Sequence, residues 1–478
     1  MRRTVLLSVT TAFAVLLVSQ VWGSAAREAE GAIAKPNIVF IMADDMRKDD
    51  LRYMPKTRDL LKNRGMSFSN AFVSHALCCP ARATIMRGQY AHNTGVWANG
   101  GSNGGLQAYR AHGGETDNVA TRLDGAGYRT GLFGKYLNGY LSTDRRIPRG
   151  WDRWFAPEEA YFDYRANDQG TIRRFGTDAK DYQTDVLRRR TEAFIGASVT
   201  AGKPFFAYVT PKAPHNEEGL GKPVPAPRHR HAHDGARAQR SPAFNEQNVS
   251  DKPPWIRQLP RLSDAEKAEI DDRHEKRAET LRALDGLVAG VVGKLQDKGV
   301  MGNTYVFFTS DNGWQEGEHR LDFGKWRPYE EDIRVPLLVR GPGVAAGHQA
   351  RKLVLNTDYL PTFTDLAGAQ TPGYADGRSL RPILKGNATV WRSAFLLEAA
   401  RNDVNVPQAP AYRGIRTSGG TKYVEYSGGK RELYSIGRDP HELHNKYPAT
   451  RPSAGLVSQL NELKTCAGSG CRAAENGP

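Results

Sequence analysis

Residues 37–45 are Asn37-Ile38-Val39-Phe40-Ile41-Met42-Ala43-Asp44-Asp45, an apolar run that ends in two carboxylates. Two later runs have the same form: residues 205–209 (FFAYV) precede Pro214-His215, and residues 305–309 (YVFFT) precede Asp311-Asn312. Such continuous apolar runs are typical of strands buried on both faces, as in a parallel sheet covered by helices. The polar residues follow the strand ends, where open α/β sheets place their ligand sites.

A helix is predicted between the second and third runs. Ser263 and Glu266 form a capping-box pattern, and apolar residues then recur at helical spacing as far as Lys298. Strand, helix and strand over residues 205–309 predict an α/β domain. The connection over residues 216–262 is rich in Pro, Arg and His, so we expect a long surface loop near the mouth of the site.

The pattern changes after about residue 375. Short alternating segments at 421–426 and 431–434 flank Gly428-Gly429 and predict a small antiparallel sheet. We therefore predict a catalytic α/β domain over residues 35–375 and a small C-terminal subdomain over residues 376–478.

The N-terminus has the features of a secretory signal peptide over residues 1–26. Arg2 and Arg3 precede an apolar run, residues 5–18, and small residues follow at 24–26. A retained signal anchor is the alternative reading, and the paired arginines are also compatible with twin-arginine export. We expect an exported protein (extracellular, periplasmic or, in a eukaryote, lysosomal) that is not inserted in a membrane after signal removal. In such a protein Cys466 and Cys471 are expected to form a small disulfide loop.

Charge alone does not identify a partner. The sequence has 67 basic and 52 acidic residues, a formal net charge of +15. The basic residues are dispersed and form no nucleic-acid-binding motif, so we expect no nucleic-acid partner. A positive field that attracts anionic substrates fits the same composition.

The two polar pairs after the strands predict a metal site. Asp44-Asp45 and Asp311-Asn312 offer hard oxygen ligands, which suit Ca²⁺ or Mg²⁺ rather than Zn²⁺. Adjacent carboxylates at a buried strand end repel each other unless a cation holds them. Taken singly, each pair could be a helix cap or a turn. Their equivalent positions after two strands favour the metal, although ligand type does not separate calcium from magnesium.

A distinctive motif lies at Cys78-Cys79-Pro80-Ala81-Arg82 and continues to Gly88. From the residues alone, a vicinal disulfide or two buried thiols remain possible. The motif resembles the signature of the formylglycine-dependent sulfatase family, Cys-x-Pro-x-Arg followed at fixed spacing by Gly. Ala81 and Arg87 depart from the common residues, Ser and Thr. The resemblance implies an alkaline-phosphatase-like α/β fold with a mostly parallel sheet. It also implies that a formylglycine-generating enzyme oxidises Cys78, rather than Cys79, to an aldehyde.

The resemblance covers roughly residues 35–445 and implies a role for each further residue of the site. One calcium ion would be held by Asp44, Asp45, Cys78, Asp311 and Asn312. Lys135 and Lys325 would bind sulfate oxygens, His215 would contact sulfate or protonate the leaving group, His319 would contact the substrate, and Arg82 would stabilise the formylglycine or the metal ligands. The hydrated aldehyde would attack sulfur with one hydroxyl and expel sulfate with the other.

The chain lacks one histidine that is common in the family and has three closely spaced histidines in the long loop. Many sulfatases have a histidine two residues after the first lysine, where this chain has Leu137; here the sequence resembles the N-acetylglucosamine-6-sulfatase branch. Asn138 and His92 are the candidates to replace that histidine. His229, His231 and His233 alternate in the long loop, and we interpret them as part of a basic rim rather than as a second metal site.

The predicted function is hydrolysis of sulfate esters, with sulfated sugars as substrates and aryl sulfates as artificial ones. The alternative within enzymes is a phosphodiesterase or phosphonate monoester hydrolase with the same nucleophile. From another class, the protein could be a non-catalytic binder of sulfated glycans if Cys78 is not oxidised.

Overall fold

The computed structural model of the protein describes residues 35–141, 145–400 and 409–477. The predicted signal peptide, residues 1–26, lies outside the described residues. Among the helices that are described, none is long and apolar enough to cross a membrane.

The described residues form sixteen strands, arranged in two larger sheets and one two-stranded pair. The strands are β1 (Asn37–Ala43), β2 (Met66–Phe68), β3 (Ala71–Phe72), β4 (Arg129–Gly134), β5 (Arg153–Pro157), β6 (Tyr164–Asp168), β7 (Thr171–Phe175), β8 (Phe205–Thr210), β9 (Thr304–Ser310), β10 (Leu337–Arg340), β11 (His348–Ala350), β12 (Val354–Leu355), β13 (Ala394–Ala399), β14 (Tyr412–Thr417), β15 (Thr421–Tyr426) and β16 (Arg431–Ser435).

The central sheet has ten strands in the order β11-β2-β10-β9-β1-β8-β4-β5-β6-β7. The three apolar runs form its middle, because β1 pairs in parallel with β9 on one side and with β8 on the other. β4 continues the parallel part, pairing with both β8 and β5, whereas β10 is antiparallel to β9 and to β2. The predicted α/β class with a mixed, mostly parallel sheet is confirmed.

Helices cover the sheet and fill the connections. They are α1 (Pro55–Thr57), α2 (Cys78–Arg87), α3 (Ala91–Thr94), α4 (Gly105–Ala111), α5 (Val119–Gly125), α6 (Gln183–Thr200), α7 (Pro254–Arg257), α8 (Asp264–Asp297), α9 (Glu330–Ile333), α10 (Tyr359–Ala367), α11 (Arg381–Leu384), α12 (Ala454–Leu463) and α13 (Ser469–Ala474), with a π-helical turn at Arg58–Asn63. The capping box predicted for the long helix is present, since the Ser263 hydroxyl accepts the Glu266 N–H while the Glu266 carboxylate accepts the Ser263 N–H.

Alternation along β1 explains its continuous apolar sequence. Phe40 belongs to the core on the face packed against α2 and α10, whereas Val39 and Ile41 belong to the core on the face packed against α6 and α8. Both sets are fully buried. A strand covered on both faces has no position at which a polar side chain would reach water, so polarity returns only where the strand ends.

The C-terminal part forms a four-stranded antiparallel sheet, β13-β14-β15-β16, as predicted. The expected disulfide between Cys466 and Cys471 is also present. Pro36–Pro478 form one compact unit. The division at residues 375/376 therefore stays a prediction about subdomains.

Candidate active site

Two strand ends bring the predicted metal ligands together. Asp44 and Asp45 follow β1, Asp311 and Asn312 follow β9, and all four are fully buried. The Asp45 N–H donates to Asp311 Oδ1 at 3.1 Å, and Asn312 Nδ2 donates to Asp45 Oδ1 at 2.6 Å. Asp45 has a φ of +65°, in the left-handed region that non-glycine residues rarely adopt. Its carbonyl oxygen accepts a hydrogen bond from the buried Arg277 at 2.7 Å, which stabilises that conformation.

The cysteine motif is the first turn of α2. Cys78 is the first helical residue, its Sγ 3.4 Å from Asp44 Oδ1 and 3.9 Å from Asp45 Oδ1. Pro80 is the third helical residue, where a missing N–H costs no helical hydrogen bond. Gly88 ends the helix with a φ of +67°, as glycine does at a helix C-terminus. The spacing of the motif is therefore that of one short helix placed against the carboxylates.

Asn99 supplies the cap that Leu77 cannot. Leu77 is the extended residue before α2, and its side chain makes no capping hydrogen bond. Instead Asn99 Oδ1, from the loop before α4, accepts the Cys79 N–H at 2.9 Å. This contact could not be predicted from sequence, because Asn99 stands 20 positions from the residue whose N–H it accepts.

Three cations match the three carboxylates. Arg82 is fully buried; its Nε donates to Asp311 Oδ2 at 2.8 Å, and one of its terminal nitrogens lies 3.3 Å from Asp44 Oδ2. Lys135 Nζ donates to Asp44 Oδ2 at 2.9 Å. Lys325 Nζ contacts Asp45 Oδ1 and lies 2.6 Å from Cys78 Sγ.

His215 stands at the border of this cluster. Its Nε2 lies 3.5 Å from Asp45 Oδ2, and its Nδ1 lies 2.7 Å from the Asn216 carbonyl oxygen. The contact of Nδ1 with a carbonyl acceptor fixes the ring so that Nε2 is directed toward the cluster. The structure thus places Cys78, Arg82, Lys135, His215, Lys325, Asp44, Asp45, Asp311 and Asn312 in one group.

His319 lies in different surroundings. Its side chain is fully buried, its Nδ1 lies 2.6 Å from Glu246 Oε2, and its ring packs against Tyr329 with centroids 4.3 Å apart. Burial lowers the pKa of His319 to about 3, and the nearby Lys252 ammonium adds to the shift. The predicted contact of His319 with substrate stays a prediction.

Burial and ion pairing oppose each other in the cluster. Burial acts to raise the pKa of Asp44, but the charges of Lys135, His215 and Arg82 outweigh it and hold the pKa well below its ordinary value. At Asp311, burial and the neighbouring Asp44 carboxylate raise the pKa to about 6 despite Arg82. Burial, together with the Asp44 carboxylate, also raises the pKa of the Cys78 thiol well above its ordinary value. Burial and the carboxylates thus favour the protonated thiol of the unmodified residue over the thiolate.

The donor set fits a hard divalent cation. Asp45 Oδ2 and Asn312 Oδ1 are buried and have no hydrogen-bond partner within the described chain. Ligand atoms of Asp44, Asp45, Cys78 and His215 all lie within 4.8 Å of one another. Carboxylate and amide oxygens are the ligands that calcium and magnesium prefer, and a cation would satisfy the two unpaired oxygens.

A cavity of about 610 Å³ opens beside Lys135 and His215. Its wall includes Glu158 and Glu159, which directly follow β5, and Glu159 Oε2 lies 3.0 Å from Lys135 Nζ. These two residues were not predicted as part of the site, although they follow a strand end at this edge of the sheet as Asp44 and Asp311 do. The cavity has the size of a ligand pocket.

Asn138 and His92, the two residues expected to replace the missing histidine, lie in different surroundings. Leu137 is buried in the core, whereas Asn138 lines the cavity, where its Nδ2 lies 3.3 Å from Glu159 Oε1. His92 uses both ring nitrogens elsewhere: Nδ1 contacts the Glu398 carboxylate and Nε2 lies 2.9 Å from the Cys466 carbonyl oxygen. Asn138 is therefore the candidate that borders the cavity.

The mixed, mostly parallel sheet, with the buried cluster at the carboxyl ends of its strands, has the alkaline-phosphatase-like α/β architecture expected from the sequence. The Sulfatase family model matches residues 36–369, and the model for the C-terminal region of N-sulphoglucosamine sulphohydrolase matches residues 317–465. The chain belongs to the sulfatase family, and the sequence-based assignment to this class of enzyme is confirmed.

Curated relatives agree with the assignment. The chain is 32% identical to N-acetylglucosamine-6-sulfatase of Capra hircus over 485 residues, covering 92% of this chain and 85% of the relative. It is 33% identical to arylsulfatase of Volvox carteri over 504 residues, covering 94% and 77%. The extracellular sulfatase SULF-1 homolog of Drosophila melanogaster is 36% identical over 377 residues, which cover 77% of this chain but 33% of that longer protein.

Solved structures share the fold. One, in complex with its substrate D-glucosamine-2-N,6-O-disulfate, has a TM-score of 0.73 at 24% identity and covers 90% of this chain and 97% of that chain. The phosphonate monoester hydrolase of Agrobacterium radiobacter has a TM-score of 0.68 at 21% identity and covers 90% and 95%. At these identities the likeness concerns the fold.

Proposed function

We propose that this protein hydrolyses sulfate esters of sulfated sugars, with a formylglycine made from Cys78 as nucleophile and one bound calcium ion. The observation that carries the proposal is the position of Cys78 Sγ, 2.6 Å from Lys325 Nζ and 3.4 Å from Asp44 Oδ1. A nucleophile at this position lies next to the Lys325 ammonium, which can bind an anionic sulfate. It also lies next to the carboxylates, which can bind a cation.

Asp44, Asp45, Asp311 and Asn312, with the modified Cys78, would hold the calcium ion. When bound, the ion supplies positive charge that polarises a sulfate oxygen and favours the deprotonated form of a hydroxyl nucleophile. Arg82 holds Asp44 and Asp311 in place through its two ion pairs. Because Arg82 is fully buried, these pairs are shielded from water.

Lys135 and Lys325 bind the sulfate oxygens, and each lysine is held by a different carboxylate. Lys135 is paired with Asp44 and Lys325 with Asp45, so the two ammonium groups are held in fixed places. His215 belongs both to the cluster and to the wall of the 610 Å³ cavity. A group at that border meets the bridging oxygen of an ester whose sulfate lies in the cluster and whose sugar lies in the cavity. His215 is therefore the residue that protonates the leaving group.

Maturation must precede folding. Cys78 is 1% exposed in the folded chain, so the formylglycine-generating enzyme would have to reach the motif before α2 packs against the sheet.

We also propose that the protein is exported, which the Cys466–Cys471 disulfide supports. We further propose that the chain is divided into a catalytic domain over residues 35–375 and a small subdomain over residues 376–478.

The substrate class rests on the relatives' names and on the cavity. A relative named for N-acetylglucosamine and a fold neighbour with a sulfated glucosamine both act on sulfated amino sugars. The test is turnover of matched pairs: a sulfated and a phosphorylated amino sugar, and an aryl sulfate and an aryl phosphate. We expect sulfate release to exceed phosphate release in both pairs. Faster cleavage of both phosphate esters would favour the phosphodiesterase alternative, and release from none of them would favour a glycan-binding protein.

A further inference from the structure

A second cavity, of about 310 Å³, has a basic lining and lies outside the cluster around Cys78. Lys48, Arg52, Arg58 and Lys62 line it, and Leu51 and Leu338 contribute an apolar surface. None of the described residues that line it carries a carboxylate. We call it the basic cavity.

The positive charge of the basic cavity is poorly balanced. Across the described parts of the chain, neither Arg58 nor Lys62 has a carboxylate within ion-pair distance. Arg52 has only Asp49, at 3.6 Å, and Asp49 is closer to Arg47, at 3.0 Å. This differs from the active-site cluster, where each cation has a carboxylate partner.

Lys48, a further cation of the lining, also lies close to another positive charge. Its Nζ donates to the Ser69 carbonyl oxygen at 2.6 Å, and the Arg334 guanidinium donates to the same oxygen. Burial lowers the pKa of Lys48 to about 8, and the Arg334 charge adds to the shift. An oxyanion in the cavity would offset this repulsion.

The basic cavity lies near the same edge of the sheet as the active site. Leu337, which lines it, pairs with Thr309 near the carboxyl end of β9, and Leu338 pairs with Ser67 of β2. Since neighbouring strands are about 4.8 Å apart, β2 stands roughly 10 Å from β9 along the sheet. Lys48 itself follows Asp45 by three residues. Five strand spacings, about 24 Å, separate β2 from β4 at the 610 Å³ cavity, so an extended saccharide chain is the kind of ligand that could reach both cavities.

We propose that the basic cavity binds a second sulfate group of the same saccharide chain whose sulfate ester occupies the active site. The four cations bind the oxyanion, and the leucines pack against a sugar ring. This inference rests on the proposed function, because it names the substrate as a chain with more than one sulfate. Phosphate shares the oxyanion chemistry, so the experiment must separate the two.

The test compares two double variants of the full-length, matured protein. Arg58→Gln/Lys62→Gln removes two exposed cations of the basic cavity, and Lys56→Gln/Lys298→Gln removes two exposed cations outside its lining. Binding of a size-defined heparin oligosaccharide and of polyphosphate is measured over a range of salt concentrations. We expect about a tenfold weaker binding of the oligosaccharide by the first variant and less than a twofold change in the control, with a smaller salt dependence in the first variant.

Turnover separates this inference from the proposed function. The expected result is a fall in kcat/KM for a multiply sulfated oligosaccharide relative to a small aryl sulfate in the Arg58→Gln/Lys62→Gln variant. Equal losses in both double variants, no loss in either, or tighter binding of polyphosphate than of the oligosaccharide would overturn the inference. If wild-type protein binds the oligosaccharide through these cations but cleaves no sulfate ester, the proposed function fails and the basic cavity stands as a sulfate-binding site.

Discussion

Lys325 Nζ lies 2.6 Å from Cys78 Sγ and also contacts Asp45 Oδ1, so one ammonium links the candidate nucleophile to a candidate metal ligand. The Asp45 carboxylate is the main partner that raises the pKa of Lys325 in spite of burial. The contact with Asp45 therefore favours the ammonium form of Lys325.

Replacing Lys325 by alanine should lower kcat for an aryl sulfate by about 100- to 1,000-fold, the usual cost of removing one preorganised donor to a developing charge. Lys352→Ala, which removes an exposed lysine, is the control. Steady-state kinetics measure both variants. A Lys325→Ala enzyme with wild-type kcat would show that this lysine does not bind the reacting sulfate.

Removing calcium should destabilise the fold as well as abolish activity, because Asp45 Oδ2 and Asn312 Oδ1 are then buried without a hydrogen-bond partner in the described chain. At free calcium a hundredfold above its Kd, the ion adds about 2.7 kcal/mol to the free energy of unfolding. Thermal unfolding with chelator and after calcium addition measures this. Full recovery with magnesium alone would assign the site to magnesium, and no change with chelator would remove the metal from the account.

Asn99→Ala should reduce the free energy of unfolding by about 1 kcal/mol, the typical cost of a lost helix cap. It should also lower kcat, because the capped residue, Cys79, adjoins the candidate nucleophile, Cys78. Asn99→Asp retains the acceptor oxygen and should recover most of both quantities. If it recovers neither, the hydrogen bond to the Cys79 N–H is not the reason for the loss.

His92 and Glu398 should give stability a dependence on pH. Burial acts to lower the pKa of His92, but its hydrogen bond with Glu398 outweighs this and raises the pKa above the ordinary value. The ion pair of protonated His92 with Glu398 then adds its full contribution to the free energy of unfolding below pH about 6.5, the ordinary pKa of histidine. This contribution is lost as the pH rises through the raised pKa of His92. Unfolding free energies of wild type and His92→Gln should thus converge with rising pH. A constant difference from pH 5.5 to pH 8.5 would contradict the ion pair.

The sheet and the clustering of Asp44, Asp45, Asp311 and Asn312 could be predicted because their constraints are local. A strand buried on both faces, such as β1, needs an unbroken apolar run, and the residues at its end, Asp44 and Asp45, are adjacent in sequence. The helical spacing from Cys78 to Gly88 is likewise contained in one short segment.

The walls of the site could not be predicted in the same way. Contacts such as Asn99 with Cys79, Arg277 with Asp45 and Glu159 with Lys135 join segments whose approach is set by tertiary packing. His319 illustrates the limit, since its distance in sequence from Lys325 is short but its ring packs between Glu246 and Tyr329.

Peptide mass spectrometry across Cys78, on protein matured in a host that has the formylglycine-generating enzyme, tests the central claim most directly. The account predicts that active protein carries an aldehyde at Cys78, with the peptide lighter by the difference between CH₂SH and CHO, and an unmodified thiol at Cys79. An active preparation in which Cys78 keeps its thiol would contradict it.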